Sequence, residues 1–227
     1  MSTTRWTIVE NQVTFFWRSA GVRRKDVRGL YPLTFRKLKE ILGKRLDMGV
    51  HEVGQLNTAT VERFLIQHGL RTARTDPALD DQLAGAVYAI GDKGIFFVPS
   101  EDGSEARRLF SLAHELGHFM IESYIPYVQL GILQTPELFN RDPIGQPIRN
   151  QDGSLSDRSF LEYKANQFAA ELLMPRQLVL RIAKRMKGKK RKPVAQEILI
   201  DRIVKGCNVS RKAAEYRIRD LEIPVSD

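Results

Sequence analysis

Cysteine, histidine and long apolar runs are scarce in this chain of 227 residues. Its single cysteine, Cys207, cannot form an internal disulfide, and the first residues lack the basic-then-apolar layout of a signal peptide. No apolar run approaches the roughly 18 residues that a membrane helix needs. We therefore expect a soluble, cytoplasmic protein with no membrane partner.

Charge is unevenly distributed along the chain, which carries a net +9. Residues 1–57 hold 11 Lys and Arg against 5 Asp and Glu, residues 58–175 hold 10 against 16, and residues 176–227 hold 15 against 6. We predict three regions from this pattern: a basic N-terminal region of unknown role, a central core and a basic C-terminal unit. The basic ends either contact an anionic polymer such as DNA or are solvated faces.

Local patterns predict an α+β fold that is mainly helical, with a small β-sheet or hairpin. Two β-rich runs in GAVYAIGDKGIFFVP, residues 85–99, predict the hairpin. Helical patterns follow from about Ser104 to Ser123 and again over residues 158–175. The segment between them, residues 124–157, is rich in proline and glycine and predicts a long loop within the core.

The two basic ends have patterns of their own. Phe15, Phe16 and Trp17 lie among Arg and Lys, a mixture that can stack on nucleic-acid bases, but packing in a core is the interpretation that we favour. Near the C-terminus, Ser210 begins a helix a few residues after the preceding one, which predicts a helix-turn-helix-like unit. The candidate nucleic-acid contacts beside this unit are Lys187, Lys189, Lys190, Arg191 and Lys192.

The run FSLAHELGHFM, residues 110–120, has the spacing of a zinc site. On a helix, His114 and His118 are four residues apart with side chains roughly 5–6 Å apart, so both can ligate one ion. Glu115 lies about 100° round the helix, where its carboxylate can reach a water molecule on the ion and act as general base. The alternative, two histidines that only fill a core, is disfavoured because an HExxH motif rarely arises by chance.

A catalytic zinc ion needs a third protein ligand. Glu122 shares the stripe of the two histidines, but eight helical residues rise about 12 Å, too far for one ion to join Glu122 to His114. The second helix offers Glu162 and Glu171, which lie about 180° apart, so only one of them can face the metal. We predict that Glu162 is the ligand of one zinc ion per chain and that Glu171 is a surface or polar-network residue.

The neighbours of Glu162 support this choice of helix face. Small Ala165 and Ala169 opposite Gly117 would let the two helices approach closely enough to share one ion. Asn166, one turn beyond Glu162, is well placed to orient a ligand by a hydrogen bond outside the coordination sphere. The other two histidines of the chain lie in unrelated segments, for which we expect structural roles.

The two helices together resemble a known family. AHELGH in the first and EYKANQFAAELLMP in the second are similar to the signature of the ImmA/IrrE family of bacterial zinc metallopeptidases, a resemblance that covers about residues 58–222. It implies a gluzincin-like endopeptidase with His114, His118 and Glu162 as zinc ligands and Glu115 as the base. Family members typically cleave a helix-turn-helix repressor and so relieve transcription of stress, phage or mobile-element genes. The implied partner is therefore a DNA-binding repressor.

Two functions of other classes compete with this interpretation. The chain could be a DNA-binding regulator with a structural or sensory zinc site, or a toxin or effector whose basic ends reach nucleic acid. A structural zinc site closes with four protein ligands, whereas three ligands beside Glu115 leave a position for water. The ligand count therefore favours hydrolysis.

Overall fold

A computed structural model describes residues 2–70, 82–100, 103–131, 137–139, 157–187 and 194–226. The helices in these ranges are α1 (Ser2–Ser19), α2 (Phe35–Leu46), α3 (Thr58–Gln67), α4 (Glu105–His118), α5 (Ile125–Leu130), α6 (Asp157–Leu173), α7 (Arg176–Lys187), α8 (Gln196–Cys207) and α9 (Arg211–Asp220). A 3-10 turn covers Val27–Leu30, and a π-helical segment, Phe119–Tyr124, joins α4 to α5. The strands are β1 (Gly49–Val53), β2 (Ala86–Ile90), β3 (Lys93–Pro99), β4 (Glu137–Phe139), β5 (Val194–Ala195) and β6 (Val225–Ser226). This confirms the predicted α+β class, mainly helical with a small sheet.

The predicted hairpin forms the centre of that sheet. Strands β2 and β3 pair antiparallel across a turn at Gly91 and Asp92. Gly91 has a φ of 56°, in the left-handed region that glycine enters without a steric penalty. Parallel β1 and antiparallel β4 complete the order β1-β3-β2-β4.

Both faces of the sheet are covered. Because successive side chains of a strand point to opposite faces, Val87 and Phe96 enter the main core while Tyr88 and Phe97 enter a smaller cluster. The main core also contains residues of α4 and α6, and the smaller cluster contains Leu65 of α3. The central strands are therefore apolar on both sides, as their sequences indicate.

Helix α1 packs its aromatic residues into the main core. Phe16 and Trp17 are buried, and Phe15 is half-buried against the same core with its ring 6.0 Å from that of Tyr124. The core interpretation of these aromatics is confirmed. Phe16 and Trp17 are therefore not available to stack on nucleic-acid bases.

Residues 124–157 were expected to form one long loop, and this is wrong for two of their segments. Residues 125–130 form α5, with Pro126 in its first turn and Gly131, at φ 65°, ending it. Residues 137–139 form β4, whose pairing with β2 depends on a distant strand and leaves little local signal. Residues 132–136 and 140–156 lie outside the described residues.

The C-terminal helices form the expected helix-turn-helix-like pair. Asn208, at φ 57°, ends α8, and the Ser210 hydroxyl accepts a hydrogen bond from the Ala213 N–H at the start of α9. Ile203 and Ile218 are buried, so this pair shares the main core. Among the described helices, none is both long enough and apolar enough to cross a membrane.

The division into residues 1–57, 58–175 and 176–227 stays a prediction, but contacts cross both of its boundaries. Strand β1 lies in the same sheet as β3. The Tyr31 hydroxyl donates to the Leu172 carbonyl at 2.5 Å, and the Asn208 side-chain amide donates to the Leu33 carbonyl at 3.3 Å. The N-terminal region therefore contacts both α6 and the end of α8.

Candidate metal centre

Helix α4 places two histidines on its buried face. The helix begins where the Ser104 hydroxyl accepts a hydrogen bond from the Arg107 N–H. His114 and His118 are each 2% exposed, and their Nε2 atoms lie 3.0 Å apart. The predicted spacing therefore brings both ring nitrogens to one point.

Helix α6 brings Glu162 to the same point. Its Oε2 lies 3.3 Å from His114 Nε2, and its Oε1 lies 3.4 Å from His118 Nε2. These three residues form a group of candidate metal ligands with all donor atoms within 4.8 Å of one another. His51 and His68 lie elsewhere, beside the smaller hydrophobic cluster: the ring of His68 stacks on that of Phe64, and the ring of His51 is tilted against it.

The close crossing of α4 and α6 allows Glu162 to reach the two histidines. A Cβ atom at Gly117 would lie 2.9 Å from the Ala165 carbonyl oxygen and 3.0 Å from the Ala165 Cα, so a larger residue would collide with backbone. Ala165 and Ala169 are fully buried. Three small residues thus set the distance between α4 and α6, as the sequence pattern indicates.

The donor set fits a metal ion. Both carboxylate oxygens of Glu162 are buried and receive no hydrogen bond. They face the two Nε2 atoms, which are too close together for each to carry a hydrogen. Around a tetrahedral zinc ion with bonds of about 2.0–2.1 Å, donor atoms lie about 3.3 Å apart, close to the spacings observed here. A divalent cation would satisfy all of these donors at once.

The outer nitrogens of the two histidines have different partners. His114 Nδ1 lies 3.0 Å from Asn166 Oδ1, in the outer hydrogen bond expected of Asn166. His118 Nδ1 lies 2.6 Å from Glu122 Oε1, a contact that the sequence reasoning missed. The i,i+4 spacing of His118 and Glu122 was the available signal, but Glu122 was weighed only as a metal ligand.

Glu115 is enclosed next to the candidate ligands. Its side chain is buried, and a Cβ atom at Gly85 would lie 2.6 Å from Glu115 Oε1. Gly85 directly precedes β2, so the sheet leaves room for this carboxylate where any other residue would press on it. The structure thus encloses Glu115 against the start of β2, and its role as general base stays a prediction.

Burial and neighbouring charges shift the pKa values of this cluster. Burial raises the pKa of Glu115 to about 7, although His114 and His118 act to lower it. Burial alone would lower the pKa of His118, but the hydrogen bond to Glu122 and the contact with Glu162 raise it to about 9. Burial alone would raise the pKa of Glu162, but the two histidines lower it to about 2. Glu162 is therefore ionised at neutral pH, while Glu115 can both accept and release a proton there.

Glu171 lies in a separate buried network and not on the surface. Its carboxylate accepts a hydrogen bond from the Arg176 N–H at 3.1 Å and forms an ion pair with the guanidinium of Arg217 on α9. The same guanidinium donates through Nε to the Met174 carbonyl at 3.0 Å. Of the two predicted roles for Glu171, the polar network is the one that the structure shows.

The basic residues of the C-terminal unit are only partly described. Residues 188–193, with four of the five candidate nucleic-acid contacts, and the side chain of Lys187 lie outside the described residues. Helix α9 exposes Arg211, Lys212 and Arg219. Arg211 forms ion pairs with Glu197 and Asp201 of α8, which neutralise part of this face.

Comparison with known proteins agrees with this geometry. A comparison with curated proteins gives no match. The model of the peptidase M78 family, described as the IrrE N-terminal-like domain, matches residues 86–219, more than half of the chain. The match begins at the first residue of β2 and includes α4, α6 and most of α9, so both metal-facing helices lie inside it. The chain therefore belongs to the IrrE N-terminal-like family of M78 peptidases.

Proposed function

We propose that this peptidase is a zinc-dependent endopeptidase, with His114, His118 and Glu162 as the ligands of one zinc ion per chain. The observation that carries the proposal is the pair of buried Glu162 oxygens, which receive no hydrogen bond and face the Nε2 atoms of both histidines. Two imidazole nitrogens and a carboxylate that converge in this way form the donor set of a catalytic zinc site, and a cation is the group that they would take.

The chemistry follows from the residues around the ion. When bound, the zinc ion supplies Lewis acidity, which polarises a peptide carbonyl and lowers the pKa of a water molecule to about 7. The Glu115 carboxylate accepts the proton of that water and then donates it to the leaving amine. Asn166 holds the ring of His114 through Nδ1.

The test uses a peptide library from a digested proteome, with new termini identified by mass spectrometry. Wild-type protein with zinc should cut within peptides, and Glu115→Gln should bind zinc equally but lose about 10²–10⁴-fold in rate, because an amide does not accept the proton. Full activity of Glu115→Gln would remove the general-base role. Loss of zinc from this variant would instead make Glu115 a ligand.

We further propose that the protein substrate is a helix-turn-helix transcriptional repressor and that cleavage takes place in the cytoplasm during a stress, phage or mobile-element response. The resemblance of both motif helices to the ImmA/IrrE family supports this, and the single cysteine suits a reducing compartment. A repressor encoded beside this gene should be cut by wild type and spared by Glu115→Gln. Cleavage of unrelated proteins at equal rates would argue against a dedicated repressor.

Contact with DNA through the basic termini is a second proposal, supported by the charge of residues 176–227. Such binding weakens with salt, because each neutralised phosphate releases counterions. Retention on DNA should therefore fall across a salt series, and fall further when Lys187, Lys189, Lys190, Arg191 and Lys192 are all replaced by glutamine. Equal retention of both proteins, or no retention at low salt, would make the C-terminal unit a structural part of the enzyme.

A further inference from the structure

The two candidate histidine ligands are held from behind by chemically different groups. Asn166 presents a neutral amide oxygen 3.0 Å from His114 Nδ1, whereas Glu122 presents a carboxylate oxygen 2.6 Å from His118 Nδ1. Hydrogen bonds to a charged acceptor are shorter and about twice as strong as neutral ones. His118 is therefore the more firmly held of the two rings.

The position of Glu122 separates this role from metal ligation. Its carboxylate lies at Nδ1 of His118, while the candidate ligand atom is Nε2 on the other side of the ring, 3.0 Å from His114 Nε2. The Glu122 side chain is only 11% exposed, so water competes little for this hydrogen bond. A proton held at Nδ1 leaves the lone pair at Nε2, directed at the metal position.

The backbone around Glu122 also departs from a regular α-helix. Glu122 lies in the π-helical segment Phe119–Tyr124, which begins directly after His118, and the Ile125 N–H bonds to the Met120 carbonyl five residues earlier. Short π-helical segments inside helices occur frequently at functional sites. Here the segment carries the carboxylate that contacts a candidate ligand.

We propose that Glu122 is a positioning residue for the metal centre, which fixes the ring orientation and tautomer of His118 by accepting a hydrogen bond from Nδ1. This rests on the proposed function, since it assigns His118 Nε2 to a zinc ion. The role differs from that of Asn166, because the carboxylate also makes the imidazole a stronger electron donor.

The test measures zinc affinity by competition with a chromophoric chelator for wild type, Glu122→Ala and Glu122→Gln. Glu122→Ala should lose about 10–100-fold in affinity, the usual cost of removing such a partner. Glu122→Gln keeps the shape and an acceptor oxygen but loses the charge, so its loss should be smaller. Glu215→Ala, which removes an exposed carboxylate on α9, is the matched control and should bind zinc like wild type.

A second measurement separates positioning from a general effect on folding. The Nδ1–H of His118 should give a downfield proton NMR signal protected from exchange in the zinc-loaded wild type. That signal should persist in Asn166→Ala, which acts on His114, and disappear in Glu122→Ala. Melting temperatures of the metal-free proteins report on folding, and the isosteric Glu122→Gln keeps the test valid if the alanine variant unfolds.

Each outcome has a distinct meaning. Zinc affinities of Glu122→Ala and Glu122→Gln within about twofold of wild type would overturn the positioning role while leaving the zinc site intact. An unchanged His118 signal in Glu122→Ala would overturn it as well. A wild-type protein that binds no zinc would overturn the proposed function, and the positioning role with it.

Discussion

Helix α6 carries two buried glutamates whose surroundings differ in one decisive respect. Glu171 has its partners within the protein: the Arg217 guanidinium and the Arg176 N–H. Glu162 has both oxygens buried without a hydrogen-bond donor, opposite two histidine nitrogens. The Glu171 carboxylate therefore has both an ion pair and a hydrogen bond within the protein, whereas the Glu162 carboxylate has no hydrogen-bond donor.

This difference distinguishes a structural carboxylate, Glu171, from a candidate metal ligand, Glu162. A buried charge is tolerated when an opposite charge and hydrogen bonds compensate it, as at Glu171. At Glu162 the nearest groups are the Nε2 atoms of two histidines, which are themselves metal-ligand atoms, so this carboxylate can hold a cation together with them. Glu162 and Glu171 are nine residues apart on one helix, so the comparison keeps the element constant and changes only the surroundings.

Replacing each glutamate with alanine should have the largest effects. One replacement should lower zinc affinity, and the other should lower the stability of the fold. Glu162→Ala should reduce zinc affinity by more than the about 10–100-fold typical of an outer partner, while the metal-free fold persists. Glu171→Ala leaves Arg217 buried without its counter-charge, which should cost about 3–5 kcal/mol of unfolding free energy. Zinc titration and urea denaturation of both variants measure the two effects.

A paired replacement is the control for Glu171→Ala. Glu171→Leu combined with Arg217→Met removes both charges, so it should recover much of the stability lost by Glu171→Ala alone. Zinc that stays bound to Glu162→Ala but leaves Glu171→Ala would show that the ligand lies on the other face of α6.

The crossing of α4 and α6 can be loosened at Gly117. In Gly117→Ala, the new methyl group would press on the backbone of Ala165, so the helices must separate, at a cost of about 1–3 kcal/mol. Because Glu162 would then move away from His114 and His118, zinc affinity should fall together with stability. Gly43→Ala, in α2, is the matched control, because a Cβ atom at Gly43 would meet only the Met48 carbonyl oxygen, at 3.9 Å. That variant should bind zinc normally and gain about 0.5–1 kcal/mol.

Gly85 provides a smaller change beside Glu115. The methyl group of Gly85→Ala would overlap both Oε1 and Cγ of the buried Glu115 side chain, so the carboxylate should be displaced, while the candidate ligands are not among the atoms that the methyl group meets. Zinc affinity should stay near that of wild type, and the cleavage rate should fall by about 100-fold, as for a group displaced by about 1 Å. Wild-type kinetics for Gly85→Ala would mean that Glu115 needs no fixed position.

The part of the candidate metal centre that depends on spacing within one helix could be predicted from the sequence. The spacing of His114 and His118 follows from the helical repeat, and helix faces separate Glu162 from Glu171. The i,i+4 spacing of His118 and Glu122 indicates that the two side chains can touch, but it does not give the hydrogen bond, because that depends on which ring nitrogen of His118 points inward.

Contacts between distant segments were predicted least well. The ion pair between Glu171 and Arg217 joins residues 46 positions apart, and no periodic pattern connects them. Strand β4 was missed for the same reason, since three residues form a strand only because β2 supplies the pairing. The helix and hairpin patterns, in contrast, were sufficient for α4, α6 and the β2–β3 pair.

Cys207 can report which of the two carboxylate networks opens under a given treatment. It is fully buried, and burial raises the pKa of its thiol to about 12, although the nearby Arg217 acts to lower it. Because burial shields the thiol and disfavours its reactive thiolate form, alkylation by iodoacetamide at pH 8 should be far slower than in the unfolded chain, and faster as the pH rises. Removing zinc with a chelator should disturb only the candidate metal centre around Glu162 and should leave this alkylation rate almost unchanged.

Glu171→Ala should accelerate the alkylation of Cys207, because the network next to Cys207 is then incomplete. Faster alkylation after chelation would mean that the two networks open together, and that the metal centre stabilises α6 along its whole length.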